Sequence, residues 1–418
     1  MSTKIKRSGT FTDNMKLPIH RWFRYSAGFS AEWVEQEIIK YQSDTGNDAI
    51  LLDPFLGSGT TCFAADTLGV KSFGFDGHPF VTRVAKAKSC WHLPAEDFLS
   101  HCQSILSLAE TYSFNTTRHE TNQLLGKCYS PGALQKLDYL KKAYEDLCTN
   151  DAVWRLVWLN ITSIIRACSH AGTAQWQYVL PNKSKSKVID PFDGFWAKAL
   201  LMSEDMNHVQ HIGWKPNCKI EELDVRQSIH ANKCNLVITS PPYPNNFDYA
   251  DATRLEMTFW GEIDGWGDLK TAVRPSIMRS CSQHSAGDKV ILDELLSSAE
   301  LEPIKDDIFK VTKALDEIRH TKGGKKAYHT MIAAYFYDLS KIWLNIRNAT
   351  VDGAKVCFVI GDSAPYGIHV PAEKWLAQIA LHHGFKGFSF EKLRDRNVKW
   401  KNRTHTVPLH EGRLWVEG

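Results

Sequence analysis

A chain of 418 residues with 43% hydrophobic and 23% charged side chains has the makeup of a soluble globular protein and the length for two or three domain-sized units. No apolar run approaches the roughly 20 residues of a membrane span, and the N-terminal "MSTKIKRSGTFTDNMKLPIHRW" is basic without the apolar centre of a secretory signal, so a cytoplasmic protein with no membrane partner is expected. Ten scattered cysteines form no CxxC pair and no Cys/His cluster, so neither a disulfide framework nor a metal site is expected, and a formal charge of +3 confines any polyanion-binding surface to local patches.

In chain order, "AGFSAEWVEQEIIKYQ" (27–42) carries Phe29, Trp33, Val34, Ile38 and Tyr41 at helical spacing behind Ser30 as N-cap. A turn cluster follows, then "AILLD", the glycine-rich turn "PFLGSGTT", a helical run "CFAADTLG" and a second strand "KSFGFD". Strand, turn, helix and strand in this order predict a βαβ unit. From about Pro94 to Gln210 long helical patterns dominate, which predicts a helical insertion. Strands return at "CKIEELD" (218–224) and "CNLVITS" (234–240), an irregular stretch runs from about Asp264 to Lys326, and "AYHTMIAAYFYDLSKIWLNIRNA" (327–349) is a strong amphipathic helix. A strand "AKVCFVIGDS" and a helix "PAEKWLAQIALHHG" resume the alternation.

The expected division is therefore a cofactor half (1–93), a helical insertion (94–215), the catalytic domain continued (216–263), a second insertion (264–326) and the C-terminal part of the catalytic domain (327–418). Either insertion is a candidate for reading the substrate.

In "LLDPFLGSGTT", Gly57 and Gly59 allow a sharp turn beneath a ligand, and Thr60 and Thr61 fall where the next helix exposes its free N–H groups. The spacing matches neither the Walker pattern nor the dinucleotide fingerprint. Asp76, ending the next strand, stands where an acid accepts hydrogen bonds from ribose hydroxyls, and Asp53 ends the first strand. Two carboxylates repel a polyphosphate and favour a cation, so a cationic nucleoside such as S-adenosylmethionine fits better than ATP.

The stretch "ITSPPYPNNFDYADATRLEMTFWG" ends a strand in two prolines. Pro241 and Pro242 remove two N–H donors and fix the chain, so the loop offers the Pro241 carbonyl and the Ser240 hydroxyl as acceptors for an amino group. Tyr243 adds a face for stacking a planar base, worth about 1–3 kcal/mol. Such a grip draws an aromatic amine toward tetrahedral geometry and frees its lone pair for attack on a methyl sulfonium; a base in a duplex reaches it only when flipped out.

With both motifs present, the sequence resembles the S-adenosylmethionine-dependent DNA amino-methyltransferases. "DPFLGSGTT" looks like their cofactor motif and "ITSPPY" like their catalytic motif, in the Thr-Ser-Pro-Pro-Tyr form associated with N4-cytosine enzymes. The resemblance implies an α/β, Rossmann-like methyltransferase fold: a mixed, mainly parallel twisted sheet with helices on both faces, carrying a helical insertion. It implies S-adenosylmethionine as cofactor, held by Tyr25 in the "HRWFRYSAGFSAEWV" segment, by Asp53, Pro54, Phe55, Gly57, Gly59, Thr60, Thr61 and Asp76, and by Asp224 at the adenine. It implies Ser240, Pro241, Pro242 and Tyr243 as catalytic residues, and Asn246 and Tyr249 in contact with the flipped base or its phosphates. The basic run "RDRNVKWKNR" then offers Arg394, Arg396, Lys399, Lys401 and Arg403 to the DNA backbone.

DNA is the implied partner, with a cognate restriction endonuclease or defence-system subunits acting separately. The alternatives are N6-adenine methylation, since the serine-for-aspartate rule has exceptions, and a non-catalytic DNA-binding subunit with the same fold. C5-cytosine methylation requires a cysteine after proline, and the chain has no Pro-Cys pair.

Overall fold

The computed structural model describes residues 11–25, 28–113, 122–174, 178–231, 233–323, 326–396 and 406–418. Among these, the strands in chain order are β1 (Ile50–Asp53), β2 (Lys71–Asp76), β3 (Ala171–Thr173), β4 (Val179–Ser184), β5 (Cys218–Glu222), β6 (Cys234–Thr239), β7 (Thr350–Gly361), β8 (Gly387–Arg396) and β9 (Leu409–Glu417). Seven of them form one sheet in the order β5-β2-β1-β6-β7-β9-β8, and β3 pairs with β4 as a separate antiparallel ribbon. The strands from β5 to β7 are all parallel, and β9 runs antiparallel to both β7 and β8. The result is the mixed, mainly parallel sheet of an α/β protein.

The sheet is buried on both faces, and the period of two sorts its side chains. Leu51, Leu236, Ile238, Cys357 and Val359 face the helix Ala31–Thr45, whereas Leu52, Val237, Phe358 and Ile360 face the helices Tyr328–Ala349 and Ala372–His382. Helix Ala31–Thr45 begins where expected: the Ser30 hydroxyl accepts from the Trp33 N–H, and Gly46, at φ 70°, ends it in a left-handed turn. On the opposite face Trp343 stacks on Phe358, with ring centroids 4.4 Å apart.

Between β2 and β5 the chain is dominated by the helices Ala95–Thr111, Pro131–Leu147, Val153–Cys168 and Pro191–His211. Helix Val153–Cys168 is buried along most of its length among the others, with Arg155, Ser163 and Arg166 on its less buried side. Their core is continuous with Ile19, Trp22, Phe80 and Val84 on one side and Leu255 and Phe259 on the other, so these helices pack directly on the cofactor half. Asp205, buried in helix Pro191–His211, accepts from Arg21 Nε (3.0 Å) and Trp22 Nε1 (2.9 Å), which ties the N-terminal segment down.

The stretch 264–326 consists of short helical turns and one longer helix, Lys305–Arg319, which packs against Tyr328–Ala349. An ion-pair hub holds it. Asp338, buried in Tyr328–Ala349, accepts from the Arg279 backbone N–H (2.9 Å), from the Arg279 guanidinium and from Arg226 (3.3 Å). Burial alone would raise this carboxyl, yet the two guanidiniums hold it below the usual range. Asp338→Ala leaves the largely buried Arg279 without its carboxylate and Arg226 with Asp224 alone, so the fold is expected to lose about 3 kcal/mol, to be checked by urea unfolding.

Candidate active site

The strand order reverses between β1 and β6, and in open α/β sheets the crevice at such a switch point, outside the carboxyl ends of the strands, is where ligands bind. Here β1 ends in Asp53 and β6 in Thr239, directly before Ser240. The two ends are fastened together: Thr239 Oγ1 donates to Asp53 Oδ1 at 2.6 Å, and the same oxygen accepts from the Phe55 N–H at 3.0 Å. Thr61 Oγ1 donates across to the Ile238 carbonyl (3.4 Å). Burial pushes the Asp53 carboxyl up to about 6, against the opposing effect of the hydrogen bonds from Thr239, Thr61 and Phe55. The glycine turn and the Ser-Pro-Pro-Tyr loop are thus parts of one site.

The turn after Asp53 is built as its glycines dictate. Gly57 (φ 55°) and Gly59 (φ 97°) occupy the left-handed region, and a Cβ on Gly59 would run into the Phe63 ring. The Gly57 N–H donates to Asp76 Oδ2 and the His78 N–H to Asp76 Oδ1, both at 2.8 Å, so each carboxylate oxygen is oriented by one backbone donor and keeps a lone pair for another. Tyr25 closes the turn from the N-terminal segment: its ring would lie 3.2 Å from a Cβ on Gly57. Its hydroxyl is raised by burial and by the neighbouring Asp76 and Tyr249. Burial likewise pushes Asp76 up to about 6. Neither Asp53 nor Asp76 has a cationic partner among the described residues, a condition that a positively charged ligand would relieve.

The loop after β6 is held from outside. The Ser240 hydroxyl donates to the Val359 carbonyl on β7 (3.1 Å), the Tyr335 hydroxyl donates to the Pro242 carbonyl (2.8 Å), and the Tyr243 N–H donates to the Tyr249 hydroxyl (3.4 Å). The Ser240 hydroxyl thus faces β7 and also lies within hydrogen-bond reach of the Tyr243 hydroxyl. The Pro241 carbonyl accepts no hydrogen bond among the described residues. What the loop presents is two acceptors and the Tyr243 ring.

The other residues singled out in the sequence each have their own partners or place in the fold. Asp224 is clasped by Arg226, whose Nε and Nη2 donate to its two oxygens at 2.9 and 2.8 Å. Asn246, at φ 63°, gives its side-chain carbonyl to the Ser282 N–H (2.7 Å). Tyr249 lies edge-on to Phe247, with centroids 4.4 Å apart, and burial pushes its hydroxyl up to about 12. Arg394 makes two bonds to the Glu411 carboxylate (3.0 and 3.1 Å), while Arg396 turns inward to the Asp362 carbonyl (2.7 Å). Pro54, Phe55 and Thr60 belong to the glycine turn and its helix. Lys399, Lys401 and Arg403 lie outside the described residues.

Beside the loop, a cavity of roughly 150 Å³ is lined by Asn245, Asn246, Tyr328, Asp362, Ser363 and Arg396, among others. The buried Ser363 hydroxyl has no partner there among the described residues. Asp362, Glu373 and His410 also gather closely enough to hold a cation. His410 stands between the two carboxylates, with Nδ1 3.3 Å from Asp362 and Nε2 3.3 Å from Glu373.

Thr239 and Tyr335 complete the site without being singled out by the sequence, and Asp205 fastens the N-terminal segment from the helical insertion. Thr239 stands in the quoted motif and could have been read as the fastening to β1; Tyr335 and Asp205 sit at ordinary helix positions with no local signal.

Among the described residues no helix is long and apolar enough to cross a membrane. Residues 7–87 match a family model described as DNA methylase of the N6/N4 type. The Type II methyltransferase M.BsoBI of Geobacillus stearothermophilus is 25% identical, over 93% of this chain and 82% of its own length. The Type II methyltransferase M.AvaI, from Nostoc sp. and from Anabaena variabilis, is 23% identical over 90% of this chain and 81% of its own length. No solved structure matches the chain. The glycine turn lies inside the matched segment, the Ser-Pro-Pro-Tyr loop is fastened to it, and the relatives align along nearly the whole chain: in sequence and in the make-up of this site the chain is similar to DNA methylases of the N6/N4 type.

Proposed function

We propose that this chain transfers a methyl group from S-adenosylmethionine to the exocyclic N4 amino group of a cytosine flipped out of DNA, as a site-specific Type II methyltransferase of a cytoplasmic restriction-modification or related defence system. The observation that carries the reading is the pair of acceptor atoms, the Ser240 oxygen and the Pro241 carbonyl, set directly beyond the Thr239–Asp53 bond. The sheet order β5-β2-β1-β6-β7-β9-β8 supports a Rossmann-like methyltransferase fold in which β1 and β6 flank the switch point.

Tyr25, Asp53, the turn from Pro54 to Thr61 and Asp76 would hold the cofactor, Asp76 toward ribose hydroxyls and the uncompensated Asp53 and Asp76 charges toward its cationic end. Asp224, paired with Arg226, would meet the adenine only through what that pair leaves free. Bound there, S-adenosylmethionine supplies an electrophilic methyl group. The chain's own part is positioning: Ser240 and Pro241 accept the two amino protons, Tyr243 stacks the ring, and the prolines keep the acceptors from relaxing. No strong base is required, because the methylated, cationic amine is itself acidic and releases its proton to water.

The helical insertion and the 264–326 stretch are the regions we assign to DNA reading, with the exposed part of the basic run on the backbone. Ser240 supports N4-cytosine over N6-adenine. The test is methyl transfer from labelled S-adenosylmethionine to unmethylated mixed-sequence DNA. Label in the DNA is expected; cofactor and DNA binding without any transfer would favour the non-catalytic alternative.

Cofactor affinity is expected to depend on pH. Asp53 and Asp76 ionise near 6 in the free protein, and a cationic ligand prefers them ionised, so affinity should rise as the pH is raised through about 6 and level off above it. The unfolded chain holds fewer of these protons than the native one between 3.8 and about 6, so the same groups favour the free fold toward acid, opposite to binding. Calorimetric titration from pH 5 to 8 separates the two; an affinity that does not change would remove both carboxylates from the cofactor's cationic end.

A further inference from the structure

Arg396 stands at the end of β8, inside the basic run that the sequence offers to DNA, yet its side chain is only 12% exposed. Its guanidinium carbon lies 5.1 Å from the centroid of the Tyr243 ring, and Nη1 donates to the Asp362 carbonyl at 2.7 Å. The buried Glu411 carboxylate, already engaged by Arg394, is 3.9 Å from Arg396 Nε. Gly361 makes this placement possible, since a Cβ there would come within 2.6 Å of Nη1. The guanidinium is therefore walled in by β7, by β9 and by the tyrosine ring, and one face of that ring is covered.

We propose that Arg396 is a positioning residue that backs one face of Tyr243, so that the ring offers only its opposite face to the target base; this rests on the reading of Ser240 to Tyr243 given above. A cation on one face fixes the ring and draws π density away from the other, which favours stacking there of an electron-rich base. The residue acts through Tyr243 and makes no phosphate contact. The Asp362 carbonyl, Gly361 and Glu411 are then its seat.

The experiment compares the full-length wild type with Arg396→Gln, Arg396→Lys and Gly361→Ala, using labelled S-adenosylmethionine and unmethylated mixed-sequence DNA. Turnover at saturating substrates, the S-adenosylmethionine dissociation constant and the salt dependence of DNA binding are read together. Expected are a fall in kcat of about 10–100-fold for Arg396→Gln, partial recovery in Arg396→Lys, and a similar fall in Gly361→Ala, which moves the guanidinium without removing a charge. Cofactor affinity and the salt slope should stay as in the wild type. A salt slope reduced by about 0.9, with kcat unchanged in Arg396→Gln, would make Arg396 a phosphate contact and overturn the proposal. If Arg396→Gln loses cofactor binding and hence its fold, Gly361→Ala decides: unchanged kcat there overturns the proposal as well. A wild type that binds both ligands but transfers no methyl group would sink the catalytic reading itself, a result distinct from either of these.

Discussion

Ser240→Ala should lower turnover on the order of 100-fold while leaving the S-adenosylmethionine dissociation constant within about twofold of the wild type. In the proposed reaction the serine oxygen is one of two acceptors for the amino group, and its hydroxyl donates to the Val359 carbonyl on β7. Alanine removes that acceptor from a loop whose other anchors, the Tyr335 bond to Pro242 and the Tyr249 bond to the Tyr243 N–H, remain. The loop keeps its course, so the loss appears in the chemical step, where the geometry of the amine matters. Single-turnover kinetics at saturating cofactor, with calorimetry on the same protein, measure both quantities. Equal losses in the two would mean that Ser240 supports the cofactor pocket instead.

Asp76→Ala should show the converse: cofactor affinity lower by on the order of 10–100-fold, with turnover recovered in large part at high S-adenosylmethionine. Its two oxygens are aimed by the Gly57 and His78 N–H groups, so alanine removes an oriented charge and also leaves two backbone donors of the cofactor turn without their acceptor. Asp76→Asn keeps an acceptor and the shape but not the charge, and should fall between. An affinity unchanged in both variants would move the ribose site away from the end of β2.

The two motifs were legible because each is a contiguous stretch whose residue types have local reasons: glycines for positive φ, prolines for rigidity, acids at strand ends. What fastens them together was not. The Thr239–Asp53 bond joins residues 186 positions apart, and Tyr335 reaches Pro242 across 93. No periodicity carries such pairings; they follow from β6 lying beside β1 and from the packing of helix Tyr328–Ala349 behind β6.

The basic run shows a different reason for divergence. Read as a charged patch, "KLRDR" suggests a solvated loop, but as part of β8 its alternation sends Arg394 and Arg396 to the same side, one to Glu411 and the other to Asp362. Counting charge hides that period. Asp224 teaches the same lesson at shorter range, since Arg226 two positions on closes the ion pair. The irregular appearance of 264–326 concealed helix Lys305–Arg319, whose Ile308, Thr312 and Leu315 recur at helical spacing. The antiparallel β9 between β7 and β8 likewise has no local signal, because its position depends on where the chain returns after β8.

The central claim is that the loop from Ser240 to Tyr243 methylates the amino group of cytosine. Incubating the protein with S-adenosylmethionine and unmethylated mixed-sequence DNA, digesting to nucleosides and identifying the product by mass spectrometry tests it directly. The account predicts N4-methylcytosine. N6-methyladenine, with no methylated cytosine, would contradict the assignment of the base.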